Sequence, residues 1–279
     1  MKFEEGLSLG AEVEYVSDYS PQLLFPISRQ QTRENLGIDN NRLPFKGEDI
    51  WNAYELSWLN PKGLPQVGVA ACYFPCDSVA IIESKSFKLY LNSFNQSTFT
   101  SLQQVQACMA EDLSKACGGE VRVELLSPQQ WHFSQADPYP DPALAWVTID
   151  QQDISTSAYH TDKSLLIAGT GEQVEEHLQS HLLRSLCPVT GQPDWGSLQI
   201  SYRGQQINHQ GLLRYIVSFR EHQEFHEQCV ERIFTDLMAS YLLDELSVYA
   251  RYVRRGGLDI NPYRSTADKP IANTRLFRQ

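Results

Sequence analysis

Hydrophobic and polar residues alternate along several short stretches of the chain, and along two longer stretches they follow a helical period. In the first half, alternation predicts strands over 67–74 and 120–126, and the stretch 79–94 is interpreted as a further strand. Between 79–94 and 120–126, apolar residues recur every three or four positions. This spacing predicts a helix built on Phe99, Leu102, Val105, Met109 and Leu113.

Polar and glycine residues mark where the elements begin and end. Ser97 or Thr98 is the expected N-cap of the first helix, and Gly118 ends it. The stretch 172–186 stays open, because its apolar residues fit both a helical and a strand period.

The second half of the chain repeats this order about 125 residues later. Strands are predicted over 197–202, 211–219 and 248–254. A helix from about residue 223 carries a wide apolar stripe of the kind that packs into a core. Its members are Phe225, Cys229, Ile233, Leu237 and Tyr241, with Phe234, Met238, Leu242 and Leu246 beside them. Two strands, a helix and a strand in each half predict an α+β fold of two tandem modules, with antiparallel sheets and helices on one face.

Composition shifts suggest where the modules divide. The first ~60 residues are rich in Pro, Asn and Gln and are interpreted as an irregular arm. Several prolines in 127–165 indicate a connection between modules. We therefore expect an N-terminal module over 1–150, including the arm and linker, and a C-terminal module over 151–279.

Composition and charge narrow the function classes. The chain has 279 residues, 42% of them hydrophobic and 11% aromatic, which excludes a disordered protein. Its formal net charge of −11 argues against binding of tRNA or DNA, which needs clustered cations. The sequence shows neither signal-peptide features nor an apolar run long enough for a membrane, so we expect a cytoplasmic protein.

One of the six cysteines stands out by its surroundings. Cys187 lies in a turn-rich segment with two prolines and a glycine, and Asp194 follows seven positions later. A thiolate is a strong nucleophile and a nearby acid can protonate what it attacks. A buried structural cysteine, with the aspartate capping the next element, fits the same pattern. The cysteine spacing matches no disulfide framework and supports a zinc site only weakly, so we expect reduced thiols and no metal.

Three further stretches carry polar side chains in suggestive places. Within 83–90, strand alternation places Glu83, Lys85 and Phe87 on one face and Ser84, Ser86 and Lys88 on the other. An edge strand with solvated charges has the same pattern as a binding site. Glu227 in 225–227 begins the second helix, where a carboxylate is favoured electrostatically. The stretch 254–257 is either a strand exit or a cationic turn whose backbone lets a phosphate approach.

Taken together, these stretches resemble the nitrile reductase family, the NADPH-dependent 7-cyano-7-deazaguanine reductases. The matching blocks are 83–90, 185–194, 225–227 and 255–257, and the resemblance runs from about residue 20 to the C-terminus. The chain is similar to the family's long, two-module form. Its second copy has lost the Glu-Ser-Lys block at 208–212, which implies a pocket built between the modules.

The resemblance implies a fold and a reaction. The fold is the tunnelling fold (T-fold) of type I GTP cyclohydrolase and the pterin enzymes, in which sheet edges join into a barrel. It implies a homodimer or higher homo-oligomer. The reaction reduces the nitrile of 7-cyano-7-deazaguanine to an aminomethyl group with two NADPH, in queuosine biosynthesis. No G-x-G-x-x-G follows a strand, so a Rossmann site for NADPH is not supported.

The resemblance also implies roles for individual residues. Cys187 would form a covalent thioimide with the nitrile and Asp194 would supply a proton. Glu83 and Glu227 would accept hydrogen bonds from the ring edge, with Phe225 stacked on the ring. The implied substrate-binding residues are Ile82, Glu83, Ser84, Phe225, His226 and Glu227. The implied NADPH-binding residues are Ser84, Lys85, Arg255 and Gly256.

Three other functions remain open from the residues themselves. The first is a thiol hydrolase or transferase in which a His–carboxylate pair, such as His226 with Glu227, serves Cys187. The second is a zinc-dependent cyclohydrolase of the same fold. The third is a purine- or pterin-binding module without catalysis.

Overall fold

The computed structural model describes residues 15–128, 130 and 146–279, and these form a mixed α+β protein of two compact units. The described part of the first unit comprises 15–41, 48–128 with 130, and 254–260; the second comprises 42–47, 146–253 and 261–279. Residues 1–14 of the predicted arm and 131–145 of the predicted linker lie outside the described residues. Division at 150/151 stays a prediction.

The elements follow one another in a mixed order. The strands are β1 (Pro26–Ser28), β2 (Lys46–Leu59), β3 (Pro65–Pro75), β4 (Ala80–Ile82), β5 (Arg122–Leu126), β6 (Trp146–Thr148), β7 (Gln173–Leu186), β8 (Pro193–Gln205), β9 (Leu243–Tyr252) and β10 (Leu258–Ser265). The helices are α1 (Arg29–Glu34), α2 (Ser84–Asn92), α3 (Leu102–Cys117), α4 (His209–Val217) and α5 (His226–Ser240), with 3-10 turns at Pro21–Leu23, Lys163–Leu165 and Ser218–Glu221.

Antiparallel pairing dominates both units, which confirms the α+β prediction in its coarse form. In the first unit β2 pairs with β3, β3 with β5, and β1 with β4, all antiparallel. In the second, β7, β8, β9 and β10 pair antiparallel in that order, and β6 adds to β7 in parallel. No helix among the described residues is both long and apolar enough to cross a membrane.

Both predicted long helices are present, with corrected boundaries. In α3 the stripe Val105, Met109 and Leu113 is fully buried. Ser101, not Ser97 or Thr98, is its N-cap and accepts a hydrogen bond from the backbone N–H of Gln104. Helix α3 ends as predicted at Gly118, whose φ of 67° favours glycine. Helix α5 begins at His226, three residues later than expected.

Two predicted strands are wrong, because both stretches are short helices. The stretch 79–94 forms only the three-residue β4 before turning into α2, and 211–219 falls mainly in α4. Each helix starts on a side chain that accepts backbone N–H groups: Glu83 caps α2 and Asn208 caps α4. Local capping and a buried helical face thus override the strand-like composition.

Several strands lie where the sequence pattern is weak or absent. The predicted irregular arm contains β2, a strand of 14 residues. The open stretch 172–186 is strand β7, and β10 was not expected. A shift in register at Ala53/Leu56 in β2 and at Ser180/Leu183 in β7 interrupts strict alternation, which explains why the period was hard to recognise.

Apart from the short strand β4 of the first unit, each unit contains the order strand, strand, helix, helix, strand, and one tyrosine–aspartate hydrogen bond recurs. In the first unit the hydroxyl of Tyr90 donates to Asp112 at 2.7 Å; in the second, Tyr215 donates to Asp236 at 2.7 Å. Burial, and then the neighbouring Asp236, raise the pKa of Tyr215 well above its ordinary value, so its hydroxyl stays a donor. These contacts tie the two helices of each unit together.

We expect Tyr215→Phe to lower the free energy of unfolding by about 1.5–3 kcal/mol, the usual value of a hydrogen bond to a charged group. The variant keeps the ring, which is fully buried, and removes only the donor. Urea denaturation measures the change. The control is Tyr159→Phe, because Tyr159 is 41% exposed. Equal stability of wild type and Tyr215→Phe would contradict the assigned role.

Candidate active site

The candidate nucleophile lies in the turn that joins β7 to β8. The backbone N–H of Cys187 donates to the carbonyl of Gln192 at 2.8 Å, and Gly191 N–H donates back to the Cys187 carbonyl at 2.9 Å. Gly191 has a φ of 67°, which glycine adopts without strain. The Cys187 side chain is buried, with 2% of the residue exposed. The turn therefore holds the thiol in a fixed place.

The register of the hairpin brings an acid to the same face. Ser185 of β7 lies opposite Asp194 of β8, and opposite residues of an antiparallel pair share a face. Cys187 lies two positions beyond Ser185, so alternation places it on that face too. Asp194 is 7% exposed. We therefore expect the thiol and the carboxyl group on one buried face of the hairpin.

A histidine at the start of α5 contacts the Asp194 carboxylate. His226 Nε2 lies 3.4 Å from Asp194 Oδ2, and both side chains are largely buried. The His226 ring stacks on that of Tyr252 in β9, with ring centroids 3.6 Å apart and planes 8° apart. Gly196, two residues after Asp194, lies opposite Tyr252. Tyr252 therefore fixes the plane of the imidazole that pairs with Asp194.

The segment that leads into α5 runs beside the end of β7. Leu186 N–H donates to the carbonyl of His222 at 2.8 Å. Phe225 is the N-cap residue of α5 and is half-buried, and Glu227 in the first helical turn is 4% exposed. Of the five second-unit residues of the predicted site, Asp194 and His226 are in contact. Phe225 and Glu227 flank His226 at the start of α5, and Cys187 lies in the turn after β7.

Other buried cysteines are poor nucleophiles. Burial raises the pKa of Cys72 to about 12, and burial likewise raises the pKa of Cys229. Both thiols therefore stay protonated at neutral pH, and a thiolate is the reactive form. Neither lies in a turn. Among the described residues, no three His, Cys, Asp or Glu side chains are grouped as metal ligands would be.

In the first unit, the predicted substrate residues form the start of α2. Glu83 is 1% exposed, and its carboxylate accepts the backbone N–H groups of Lys85 and Ser86, each at 2.8 Å. Ile82 precedes it as the last residue of β4 and is also buried. The predicted strand alternation of Glu83 and Lys85 is therefore wrong. Glu83 is thus the buried carboxylate that begins α2.

The predicted cofactor residues of the first unit lie near one another. Arg255 and Leu258 close a tight hairpin in which Gly256 and Gly257 both have positive φ, 60° and 79°. A Cβ built on Gly256 would lie 3.6 Å from Lys88 Nζ. Lys88 is one helical turn after Lys85, so it shares a face of α2 with Lys85.

Sequence reasoning missed two members of these groups. Lys88 was assigned to the opposite face from Lys85, because the stretch was interpreted as a strand. Tyr252 was treated only as part of a strand, and no local signal links it to His226. Residues 82–85 and 255–256 belong to the first unit, and Cys187 with its neighbours to the second.

Comparison with known proteins identifies the family. A family model described as nitrile reductase, 7-cyano-7-deazaguanine-reductase N-term, matches residues 15–125, and one described as QueF-like protein matches 193–270. The NADPH-dependent 7-cyano-7-deazaguanine reductase of Burkholderia cenocepacia is 54% identical over 275 residues, covering 97% of this chain and 98% of the relative. That of Burkholderia ambifaria is 55% identical over 273 residues, covering 97% of each.

The chain belongs to the nitrile reductase family. This confirms the resemblance drawn from the four sequence blocks. Among solved structures, an apo archaeosine synthase QueF-Like matches 37% of this chain and all of its own, with 13% identity and a TM-score of 0.31. That likeness is too low to define the fold.

Proposed function

We propose that the protein reduces the nitrile of 7-cyano-7-deazaguanine with NADPH through a covalent thioimide on Cys187. The family and its NADPH-dependent relatives support the reaction. The role of Cys187 is supported by a comparison with the β2–β3 turn, which has the same kind of hydrogen bonds but no thiol.

The β2–β3 turn of the first unit shares the hydrogen bonds of the Cys187 turn. Asn60 N–H donates to the carbonyl of Leu64 at 3.0 Å, and Gly63, with φ of 76°, donates to the Asn60 carbonyl at 2.8 Å. Asn60 stands where Cys187 stands, although the second turn is one residue longer. The thiol of Cys187 makes no hydrogen bond to any described residue. A turn with these hydrogen bonds therefore forms without a cysteine in the first unit, which supports a chemical role for the Cys187 thiol.

The chemistry follows from the hairpin face. Sulfur of the Cys187 thiolate bonds to the nitrile carbon, one carbon–nitrogen π bond breaks, and the nitrogen takes a proton. The Asp194–His226 pair, with Oδ2 and Nε2 3.4 Å apart, can hold that proton and deliver it from the Asp194 carboxyl group. NADPH, when bound, would supply two hydride equivalents, and the carbon–sulfur bond to Cys187 breaks in the course of the reduction, which regenerates the thiolate and releases the amine. Tyr252 keeps the imidazole oriented.

Substrate recognition rests on buried carboxylates and one aromatic ring. Glu83 and Glu227 can accept hydrogen bonds from the lactam and amine groups of the ring, and each is almost fully buried. A ligand without those donors would make fewer hydrogen bonds to these buried carboxylates, which gives specificity. Phe225 offers its half-buried ring for stacking. Ile82, Ser84 and His226 complete the proposed set.

The first unit has residues that fit the phosphates of NADPH. Lys85 and Lys88 lie on one face of α2, and the Arg255 hairpin places Gly256 beside Lys88. Gly256 is exposed and carries no side chain, so its backbone is open to a bulky anion. Ser84 adds a hydroxyl at the helix start. Such cationic groups suit the 2′-phosphate of NADPH, whereas an acidic residue at the ribose would favour NADH.

The finer structural assignments belong to the same proposal. We infer two tandem T-fold modules, supported by the shared element order and the paired Tyr–Asp contacts. A homodimer or higher homo-oligomer in the cytoplasm, without nucleic acid, is inferred from the family resemblance and the acidic charge.

Mixing the protein with 7-cyano-7-deazaguanine in the absence of NADPH should give one covalent adduct on Cys187. Intact-protein mass spectrometry detects it, and peptide mapping locates it. Cys187→Ser should abolish the adduct. Cys108→Ser is the matched control, because serine can replace the hydrogen bond of that half-buried thiol with Tyr19. An adduct that persists in Cys187→Ser would refute the assignment.

Asp194→Asn should lower turnover by roughly 10²–10⁴-fold, the usual cost of losing a general acid. The amide keeps the shape of the side chain, so nitrile affinity should change little. NADPH oxidation and ligand titration measure the two effects. Asp244→Asn, at an exposed position of β9, is the control. Normal turnover with much weaker binding would show that Asp194 only holds the ligand.

Arg255→Ala should raise the apparent Michaelis constant for NADPH on the order of fivefold, as expected for an exposed ion pair. The preference for NADPH over NADH should narrow, and adduct formation at Cys187 should remain. The neighbouring Arg254→Ala is the control, because Arg254 lies over the Tyr54 ring at 4.7 Å. Steady-state kinetics with NADPH and with NADH measures the apparent Michaelis constants. An equal increase in Arg255→Ala and Arg254→Ala would show that Arg255 has no specific role in cofactor binding.

A further inference from the structure

Three arginines of the second unit surround one indole ring. The guanidinium carbons of Arg184, Arg220 and Arg278 lie 5.4, 5.8 and 5.6 Å from the ring centroid of Trp195. Arg184 belongs to β7 and lies opposite Trp195 of β8, Arg220 belongs to the turn Ser218–Glu221, and Arg278 follows β10. We call these four residues the Trp195 cluster.

The positive charge of the Trp195 cluster is not neutralised by carboxylates in the described part of the chain. None of its arginines forms an ion pair there, whereas Arg203 pairs with Glu245 and Arg264 with Glu231. Arg278 donates to the carbonyl of His181 at 2.8 Å. Asp150 accepts the backbone N–H of that same His181 at 2.8 Å.

One hydrogen-bond donor of the Trp195 cluster is buried. The Nε atom of Arg184 is buried and has no hydrogen-bond partner among the described residues. A buried donor without a partner costs free energy, about 1–3 kcal/mol. The indole ring offsets part of the repulsion between the like charges by cation–π attraction. In a chain of net charge −11, such a concentration of cations calls for an anionic ligand.

The chemistry of the donors indicates which anion. Guanidinium groups form paired, planar hydrogen bonds with phosphate oxygens, and several can share one phosphate. Trp195 is 37% exposed, so the cluster is open to solvent. We propose that the Trp195 cluster is a binding site for the phosphate group of a small molecule.

This site is separate from the candidate active site although the same strands carry both. Trp195 directly follows Asp194, and successive residues of a strand point to opposite faces. Trp195 and Arg184 therefore lie on the face of the hairpin away from Asp194 and Ser185. Phosphate there would connect β7 to β8 near the turn that holds Cys187, and we expect it to stabilise this hairpin.

The test is a titration of the full chain with inorganic phosphate at constant ionic strength, followed by calorimetry and tryptophan fluorescence. We expect saturable binding, and a change in fluorescence that is lost in Trp195→Phe. Arg220→Gln/Arg278→Gln should weaken binding tenfold or more. Arg203→Gln, an ion-paired arginine on the same strand, should bind like wild type.

A second titration, with adenosine monophosphate, distinguishes a nucleotide ligand from free phosphate. Adenosine monophosphate binding more tightly than inorganic phosphate, with the same loss in the double variant, supports a nucleotide ligand. Binding of inorganic phosphate with exclusion of the nucleotide supports free phosphate. The single variants Arg220→Gln and Arg278→Gln replace the double variant if circular dichroism shows that it does not fold. Absence of saturable binding, binding that survives the arginine substitutions, or equal binding of malonate would overturn the proposal.

Discussion

The backbone hydrogen bond from Cys187 to the carbonyl of Gln192 closes the β7–β8 hairpin, and the geometry of the candidate active site depends on it. It fixes the register that sets Asp194 opposite Ser185. A slip by one residue would turn every side chain of β8 to the other face, separating the acid from the thiol. The bond in turn requires a residue that tolerates positive φ at Gly191.

Corresponding positions of the two units hold different residues where the proposed reaction needs a thiol or a carboxylate. The first unit builds the corresponding turn with Asn60 in the place of Cys187. At the helix starts, the second unit uses Asn208 where the first has Glu83, and both side chains accept backbone N–H groups. An asparagine can thus make the same backbone hydrogen bonds in the other unit. Each unit retains a different part of the proposed reaction, so neither unit alone holds the complete set.

Much of this organisation could be predicted from the sequence, because the apolar period of α3 and α5 is strong and the strands β3, β5, β8 and β9 alternate. The errors at α2 and α4 have one cause. Aromatic and apolar residues such as Phe87 and Tyr90 suit a strand locally, but their spacing of three to four positions buries one helical face once Glu83 caps the helix. Strand β2 was missed because its register shift breaks the alternation.

The site shows the same limit. Cys187 and Asp194 are close in sequence and could be recognised from one segment. Tyr252 stacks on His226 from a strand 26 positions further along the chain, and only the pairing of β8 with β9 brings it there. Contacts of this kind depend on register, which local composition does not determine.

The hairpin also explains how one short segment can serve two ligands. Asp194 and Trp195 are consecutive, yet the pleat directs them to opposite faces of β8. On one face lie the thiol, the acid and the imidazole; on the other, three arginines surround the indole. A ligand that neutralised these arginines would remove their mutual repulsion and favour the paired state of β7 and β8. Because the same pairing aligns Asp194 with the Cys187 face, anion binding on one side and order in the active site on the other are linked through a single backbone register.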